Sequence, residues 1–432
     1  MPTFAQPQRM NQLGKTDRWL VNYLTFACVL FVLCYAGTHF MRSDYYTQGI
    51  VTLLAMIAVL KAFSVPTVQT AYGERALVFL SLMLVVALVN IVVSWSMLES
   101  ALRWTLWFTM VLSLSRVTSA SDGAWADVMI RRLPFLFFCI YTSIIISAHF
   151  LDPQAAYAAY HLSGLYGNLI LATGLFAGKT WQRLLWSVVG LLAIYFSGAG
   201  GALFCIPIMF VPYILYSASS MPVKGLALAG LLALGALSFF ESQLFSSFLA
   251  IKANSASTGF SYTGLDRLEH SKEMRLQLVE YGLQLVKQNP LGTGLGHTYY
   301  DDMFKEAGAG HAHNGTISML IELGVPGFSV ALCLMLWMFS CILRNPSLGS
   351  QVRAFYFTYF FTIFGRSLSE NYTPLDLGNY FNYIFLVYSG YLFLNQKARP
   401  LPSGGLVRQR GRMMMRPGPR APLPRPVGSF KD

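Results

Sequence analysis

The chain has 432 residues, of which 55% are hydrophobic and only 12% are charged. Soluble domains carry a charged fraction of about 25%, so this composition excludes a string of ordinary soluble domains and favours one polytopic membrane domain. The formal net charge of +12 resides mostly in short loops and in a basic tail, a pattern that does not indicate nucleic-acid binding.

Apolar runs of the length that crosses a bilayer as a helix recur along the chain. They predict an all-α polytopic membrane protein with about twelve transmembrane helices and one long loop that itself contains helices. A glycine turn from Ser197 to Gly201 separates two of the runs, because one helix of their combined length would overrun the membrane. The predicted spans lie near residues 18–40, 46–63, 76–98, 101–119, 133–150, 163–178, 184–198, 200–218, 223–241, 315–343, 351–369 and 379–395.

The predicted spans divide the chain into three parts. Residues 1–17 form an N-terminal tail, residues 18–398 form the transmembrane domain, and residues 399–432 form a tail rich in proline, arginine and glycine. The long loop, residues 241–314, lies within the transmembrane domain. The C-terminal tail has little apolar surface to bury, so we expect it to be disordered. Its charge suggests contact with anionic membrane lipids.

Positive charge predicts the orientation of the chain. With a cytoplasmic N-terminus, the short loops obey the positive-inside rule, and both tails are cytoplasmic. The opposite side then carries the long loop, Arg103, Arg366 and the seven histidines. The working face is therefore expected to look away from the cytoplasm. The cations assigned to the cytoplasmic side are Arg9, Lys15, Arg18, Lys61, Arg75, Arg116, Arg131, Arg132, Lys179, Arg183, Lys224, Arg344 and Arg353.

The second half of the long loop has helical periodicity and clear stop signals. Residues 274–287 alternate polar and apolar side chains, and the spacing predicts one apolar face. Pro290 and Gly292 should end this helix, and Asn314 should cap the next one. That next helix should break between Gly324 and Gly327, as helices beside cavities often do. The predicted apolar face consists of Leu276, Val279, Leu283 and Val286.

A combination of motifs in this region resembles a known family. Arg275 is followed fifteen positions later by Pro290 in an N-P-L-G-T-G-L-G turn, and then by H-A-H-N-G-T-I-S-M-L-I-E-L-G-V-P-G, which ends at Gly327. Together they resemble the O-antigen ligase family of bacterial envelope glycosyltransferases. The resemblance implies a GT-C-like membrane fold in the bacterial inner membrane, with a periplasmic active site and no cofactor. It also implies transfer of a glycan from undecaprenyl pyrophosphate to the lipid A–core oligosaccharide.

His313 matches the family histidine that is thought to act as the base on the acceptor. A sugar hydroxyl is a weak nucleophile, and a neutral imidazole can take its proton as the new bond forms. The alternative is a histidine that only caps or packs against the start of the following helix.

Arg275 matches the family arginine by its distance to Pro290. A guanidinium offers paired donors to a pyrophosphate leaving group and keeps its charge. The alternative is a solvated charge on a loop helix, and Arg267, Lys272 and Lys287 are less well placed candidates for the same role. Many relatives carry another arginine in an S-x-S-R-G turn, but the turn at Gly200 has none. Arg366, Arg103 or the backbone amides of that turn could replace it as pyrophosphate ligands.

The other candidate supporting residues are His311, Asn314, Glu322 and Gly200. His311 and His313, together with Asp301 and Asp302, also invite interpretation as a metal site. Their spacing is not diagnostic, and the resemblance implies catalysis without metal. We therefore expect no metal ligands.

Three other functions share parts of this pattern. An O-antigen polymerase and a protein O-oligosaccharyltransferase would share the family resemblance. A protein O-oligosaccharyltransferase usually carries a large soluble region after the last span, whereas this chain has a short basic tail there. A transporter or flippase could also have twelve spans. It would normally show internal repeats and charges in mid-membrane, and the sequence shows neither.

Overall fold

The computed structural model describes most of the chain between residues 13 and 394. The described residues are 13–36, 44–65, 72–147, 156–197, 199–216, 221–240, 264–296, 312, 314–345, 348–368, 370, 375 and 377–394. The chain divides into two compact units, Met1–Gln396 and Lys397–Asp432, and the second lies outside the described residues. The predictions for the basic tail and for residues 241–263 of the long loop therefore stay predictions.

Within the described residues the fold is all-α, as the sequence predicts. The helices are α1 Lys15–Ala36, α2 Asp44–Ser64, α3 Tyr72–Val93, α4 Met97–Ser119, α5 Ala124–Ile146, α6 Ala156–Gly174, α7 Thr180–Ser197, α8 Gly200–Tyr216, α9 Met221–Phe240, α10 Gly264–Gln288, α11 Gly315–Arg344, α12 Ser350–Ser367 and α13 Tyr380–Ser389. A π-helical turn, Gly390–Leu394, extends α13.

Several of these helices are suited to a bilayer, and the chain is a polytopic membrane protein. In the described part, five helices are both long and apolar enough to cross a membrane. Two shorter apolar helices accompany them, Gly201–Tyr216 and Tyr380–Leu394. The predicted number of twelve spans is not confirmed and stays a prediction. The five long segments are Lys15–Tyr35, Thr47–Ser64, Arg75–Val93, Ala124–Ile146 and Gly315–Arg344.

Glycine allows α6 and α7 to pack closely. A Cβ added at Gly167 would lie 2.9 Å from the backbone nitrogen of Ile194, and one at Gly190 would lie 2.6 Å from that of Leu171. Small residues at such contacts are typical of membrane helices, where close backbone approach replaces the hydrophobic effect. This packing fixes the end of α7 and hence the glycine turn that precedes α8.

Buried tyrosines connect helices that are distant in sequence. Tyr380 donates its hydroxyl to the carbonyl of Leu24 at 2.9 Å, and Tyr388 donates to that of Ala126 at 2.7 Å. Tyr359 donates to the carbonyl of Phe381 at 2.8 Å. A buried hydroxyl needs such an acceptor, so these bonds specify which helices become neighbours.

Candidate functional site

The predicted break in the helix after Asn314 is present at Gly324. This residue has φ 68° and ψ 176° inside α11. The helical hydrogen bonds are interrupted there, so backbone N–H and C=O groups on both sides lack helical partners. The N-P-L-G-T-G-L-G turn satisfies them through three backbone hydrogen bonds. These are Thr293 N–H to Ile321 C=O at 3.0 Å, Gly294 N–H to Glu322 C=O at 3.0 Å and Val325 N–H to Pro290 C=O at 2.9 Å. The two sequence motifs are thus one docked unit.

Glycines make this docking possible. Gly292 has φ 98°, and a Cβ there would lie 2.6 Å from the carbonyl oxygen of Glu322 and from the amide nitrogen of Gly324. A Cβ at Gly324 would collide with the backbone of Leu291 and Gly292. The clashing atoms are backbone on both sides, so no side-chain movement can relieve them.

Gly324→Ala should therefore separate the turn from the broken helix. A left-handed backbone alone costs a non-glycine residue about 1–3 kcal/mol, and the backbone clash adds to that cost. We expect a lower melting temperature in detergent. Gly49→Ala is the matched control, since nothing lies within 4 Å of an added Cβ at that position of α2. A Gly324→Ala protein that melts with the wild type would contradict the docked unit.

Helix α10 lies on the first turns of α11 through a face that is rotated from the one predicted. Val286 is buried as predicted, together with Leu278 and with Gly282 between them, whereas Leu276 is 54% exposed and Leu283 is 40% exposed. The prediction was wrong at these two leucines because apolar spacing alone ignores Gly282. A Cβ at Gly282 would lie 2.7 Å from the Cγ2 of Ile317. The glycine sets the closest point of approach and so rotates the helix.

This contact brings the segment of Arg275 to the segment of His313. Leu278, three residues after Arg275, shares a buried cluster with Ala312, which is fully buried and lies between His311 and His313. The backbone of Arg275 lies in α10, but its side chain is outside the described residues. His311 and His313 are outside the described residues altogether.

The start of α11 also meets the end of α12. Asn314 caps α11 as predicted, with its Oδ1 accepting from the amides of Thr316 at 3.0 Å and Ile317 at 3.1 Å. Its Nδ2 donates to the carbonyl of Leu368 at 3.4 Å. The amide of Gly315 donates to the carbonyl of Glu370 at 2.9 Å. The position next to His313 is therefore held against the end of α12.

Arg366 lies in the last turn of α12, close to that contact, and is fully buried. The neighbouring Gly365 packs against α8, since a Cβ there would lie 3.0 Å from the Sγ of Cys205. Because Cys205 lies in the second turn of α8, the N-terminal end of α8 at Gly200 faces the end of α12 that carries Arg366. Two of the predicted residues, Arg366 and Gly200, thus lie in one region of the fold.

Arg103 occupies a different position, beside the last glycine of the turn. A Cβ at Gly296 would lie 2.8 Å from its Cζ. Its Nε and Nη2 donate to one carboxylate oxygen of Glu99, at 3.1 and 2.8 Å. The sequence analysis overlooked this partner, although spacing of four residues in a helix is the usual signal for such a pair. Much of the charge on Arg103 is therefore offset.

Glu322, predicted to brace the broken helix, is 6% exposed. Its backbone carbonyl does take part, since it accepts from Gly294 and also from the side chain of Asn90. Asn90 carried no motif and was missed. A polar residue within an otherwise apolar span was the available signal.

An apolar cavity of about 120 Å³ opens between α3, α4, α11 and α13. One end is lined by Met319, which follows Asn314 by five residues, and the other by Met338 and Leu394. Methionine side chains adapt to irregular apolar shapes. The cavity thus extends along the membrane-spanning part of α11, away from its capped start.

The alternative metal site lies outside the described part of the chain. No group of three or more His, Cys, Asp or Glu residues suited to a metal occurs there. His311, Asp301 and Asp302 lie outside the described residues, so neither the expectation of metal-free catalysis nor its alternative is tested.

Comparison with known proteins finds one family match. Residues 184–332 match the family model described as O-Antigen ligase. The matched range contains the glycine turn before α8, helix α10, both histidines of the H-A-H motif and the broken part of α11. No curated protein and no solved structure matches the chain.

Proposed function

We propose that this chain, whose residues 184–332 match the O-Antigen ligase family model, is an enzyme that transfers O-antigen or a similar polysaccharide from undecaprenyl pyrophosphate to the lipid A–core oligosaccharide. Transfer takes place at the periplasmic face of the bacterial inner membrane, without metal or cofactor. His313 is the general base, and Arg275 binds the pyrophosphate leaving group.

The reaction forms one glycosidic bond and breaks one bond to phosphate. A hydroxyl oxygen of the acceptor attacks the anomeric carbon of the donor sugar while His313 takes the hydroxyl proton. The bond between that carbon and the pyrophosphate oxygen breaks, and both electrons leave with undecaprenyl pyrophosphate. A guanidinium stabilises the charge that develops on this leaving group.

The contact between α10 and α11 is the observation that carries this assignment. It keeps the segment that contains Arg275 beside Ala312 and hence beside the two histidines. The glycine turn reinforces this arrangement, because it follows α10 directly and hydrogen-bonds to α11 at the break. A base and a cation carried by these two neighbouring segments would be available to one and the same transfer reaction.

Two further features support a binding site for the donor. Arg366 and the N-terminal end of α8 lie together, and both a guanidinium and a helix N-terminus favour anions. We assign the role of the missing family arginine to Arg366 and the turn at Gly200. Arg103, paired with Glu99, contributes less charge and instead supports the turn at Gly296. The apolar cavity along α11 offers a place for part of the polyprenyl chain.

The proposed orientation can be tested with single cysteines at Ser257 and Ser403. Both termini are assigned to the cytoplasm and the loop 241–314 to the periplasm, because the short loops follow the positive-inside rule. An impermeant thiol reagent applied to intact cells should label position 257 and leave position 403 unlabelled. The reverse pattern would overturn both the orientation and the periplasmic placement of the site.

Deletion of the gene tests the function in cells. Surface polysaccharide should disappear from lipid A–core and accumulate on its lipid carrier with its chain length preserved. Loss of long chains, with single repeat units still attached to lipid A–core, would indicate a polymerase instead. Loss of glycan from proteins, with normal lipid A–core, would indicate a protein O-oligosaccharyltransferase.

A further inference from the structure

Asn90 connects three parts of the molecule that meet at the break in α11. It lies three residues before Val93, the last residue of α3, and is 1% exposed. Its Oδ1 accepts from the amide of Leu295 at 3.2 Å and from the Nε1 of Trp104 at 3.1 Å. Its Nδ2 donates to the carbonyl of Glu322. One side chain thus joins α3 and α4 to both the glycine turn and the broken helix.

The orientation of this amide is determined by its neighbours. Two N–H donors face one end of the side chain, so that end must be the oxygen, and the nitrogen must face the carbonyl of Glu322. A buried amide in a membrane helix is costly unless its polar atoms are satisfied. At Asn90 both the oxygen and the nitrogen form hydrogen bonds at this junction. The buried amide therefore stabilises the contact between the glycine turn and the broken helix.

The connection matters because the turn and the broken helix carry the proposed reactive segments. Helix α10, with Arg275, leads directly into the turn, and α11 begins two residues after His313. The packing of α10 on α11 is fixed at Gly282 in one place and at the break in another. Asn90 connects the contact at the break to α3 and α4, and these two helices support it.

We infer that Asn90 is a positioning residue for glycan transfer: it fixes the glycine turn against the break in α11 and thereby sets the spacing between the segments of Arg275 and His313. The inference rests on the proposed function, since it concerns the geometry of that reaction. Asn90 itself contacts neither the donor nor the acceptor. Its loss should act on the rate of the chemical step and leave substrate binding largely unchanged.

Kinetic measurements on purified protein distinguish positioning from simple stabilisation. Asn90→Ala and Asn90→Leu remove all three hydrogen bonds, one with a smaller side chain and one with a similar volume. Because a misplacement of about 1 Å can cost roughly 100-fold in rate, we expect kcat per folded enzyme to fall roughly 10- to 100-fold, with KM for the donor changed less than about threefold. Thr173→Val is the matched control, since it removes one buried hydrogen bond, from Thr173 to the carbonyl of Leu169 at 2.6 Å in α6.

Hydrogen exchange on the same proteins provides a readout that does not depend on the reaction. Both Asn90 variants should exchange the amides of residues 293–296 at least about twofold faster than the wild type and Thr173→Val, because a net hydrogen bond contributes about 0.5–1.5 kcal/mol.

The possible results separate the inference from the proposed function. Unchanged exchange in the turn, an unchanged kcat per folded enzyme, or a rise in KM alone would each overturn the positioning role. Failure of both variants to fold would also overturn it, since Asn90 would then act in folding only. A wild-type protein that transfers no glycan, combined with faster exchange in the variants, would reject the proposed function and leave the role of Asn90 in the turn intact.

Discussion

Replacement of His313 by alanine should reduce glycan transfer roughly 100- to 10,000-fold, the usual contribution of a general base. The base must be neutral to accept a proton. Turnover of the wild type should therefore fall as the pH is lowered through the range in which imidazole becomes protonated, about pH 6 to 7. Donor binding should be largely retained in the variant, because Arg275 and the membrane-embedded groups still hold the lipid pyrophosphate. Turnover by purified enzyme, measured across this pH range, checks both effects.

His311→Ala is the matched control for this experiment. It removes the other histidine of the H-A-H motif, two residues away, and should have a much smaller effect because only His313 matches the family histidine. A chelator should leave wild-type transfer unchanged. Near-normal transfer by His313→Ala would reject His313 as the base. Loss of wild-type activity on chelation would reject catalysis without metal and favour the two histidines as metal ligands.

Replacement of Arg275 by lysine should also remove most activity, although the positive charge is retained. Lysine cannot reproduce the paired donors of a guanidinium. Loss of one charge-assisted hydrogen bond, about 1.5–3 kcal/mol, corresponds to a decrease of roughly 10- to 150-fold. The decrease should appear in kcat, since the charge on the leaving group grows as the bond breaks. Steady-state kinetics with a lipid pyrophosphate donor provide the measurement.

Arg267→Lys provides the matched control for Arg275→Lys. It is the same substitution on the same helix, two turns earlier, and should leave transfer close to that of the wild type. Both proteins should accumulate normally in the membrane. Full activity of Arg275→Lys would leave only a general electrostatic role for that residue.

The sequence predicted the parts of the site that depend on glycine, proline and capping residues. Pro290 and Gly292 end α10, Asn314 caps α11, and Gly324 breaks it. These signals are local, because a positive φ or a missing donor restricts the backbone wherever it occurs. The sequence also predicted that α7 and α8 are separate helices, since the glycine turn between them is a signal of the same kind.

Contacts between segments that are distant in the chain could not be predicted from the sequence. The face of α10 was predicted wrongly because the docking contact is made by Gly282, which has no apolar side chain to mark it. Asn90 was missed because its partners, Leu295 and Glu322, are more than two hundred residues away. The family motif suggested the roles of His313 and Arg275, and the contact of α10 with α11, which brings their segments together, could not be predicted from the sequence.

The central claim is transfer of a glycan from a lipid pyrophosphate to lipid A–core, and reconstitution tests it most directly. The purified protein would be placed in liposomes with undecaprenyl pyrophosphate-linked glycan and lipid A–core, in the presence of a chelator. Mass spectrometry should detect the intact glycan on lipid A–core and an equal amount of released undecaprenyl pyrophosphate, and none with His313→Ala. Elongation of the glycan on its own lipid carrier, or movement of the donor across the bilayer without a new glycosidic bond, would contradict the account.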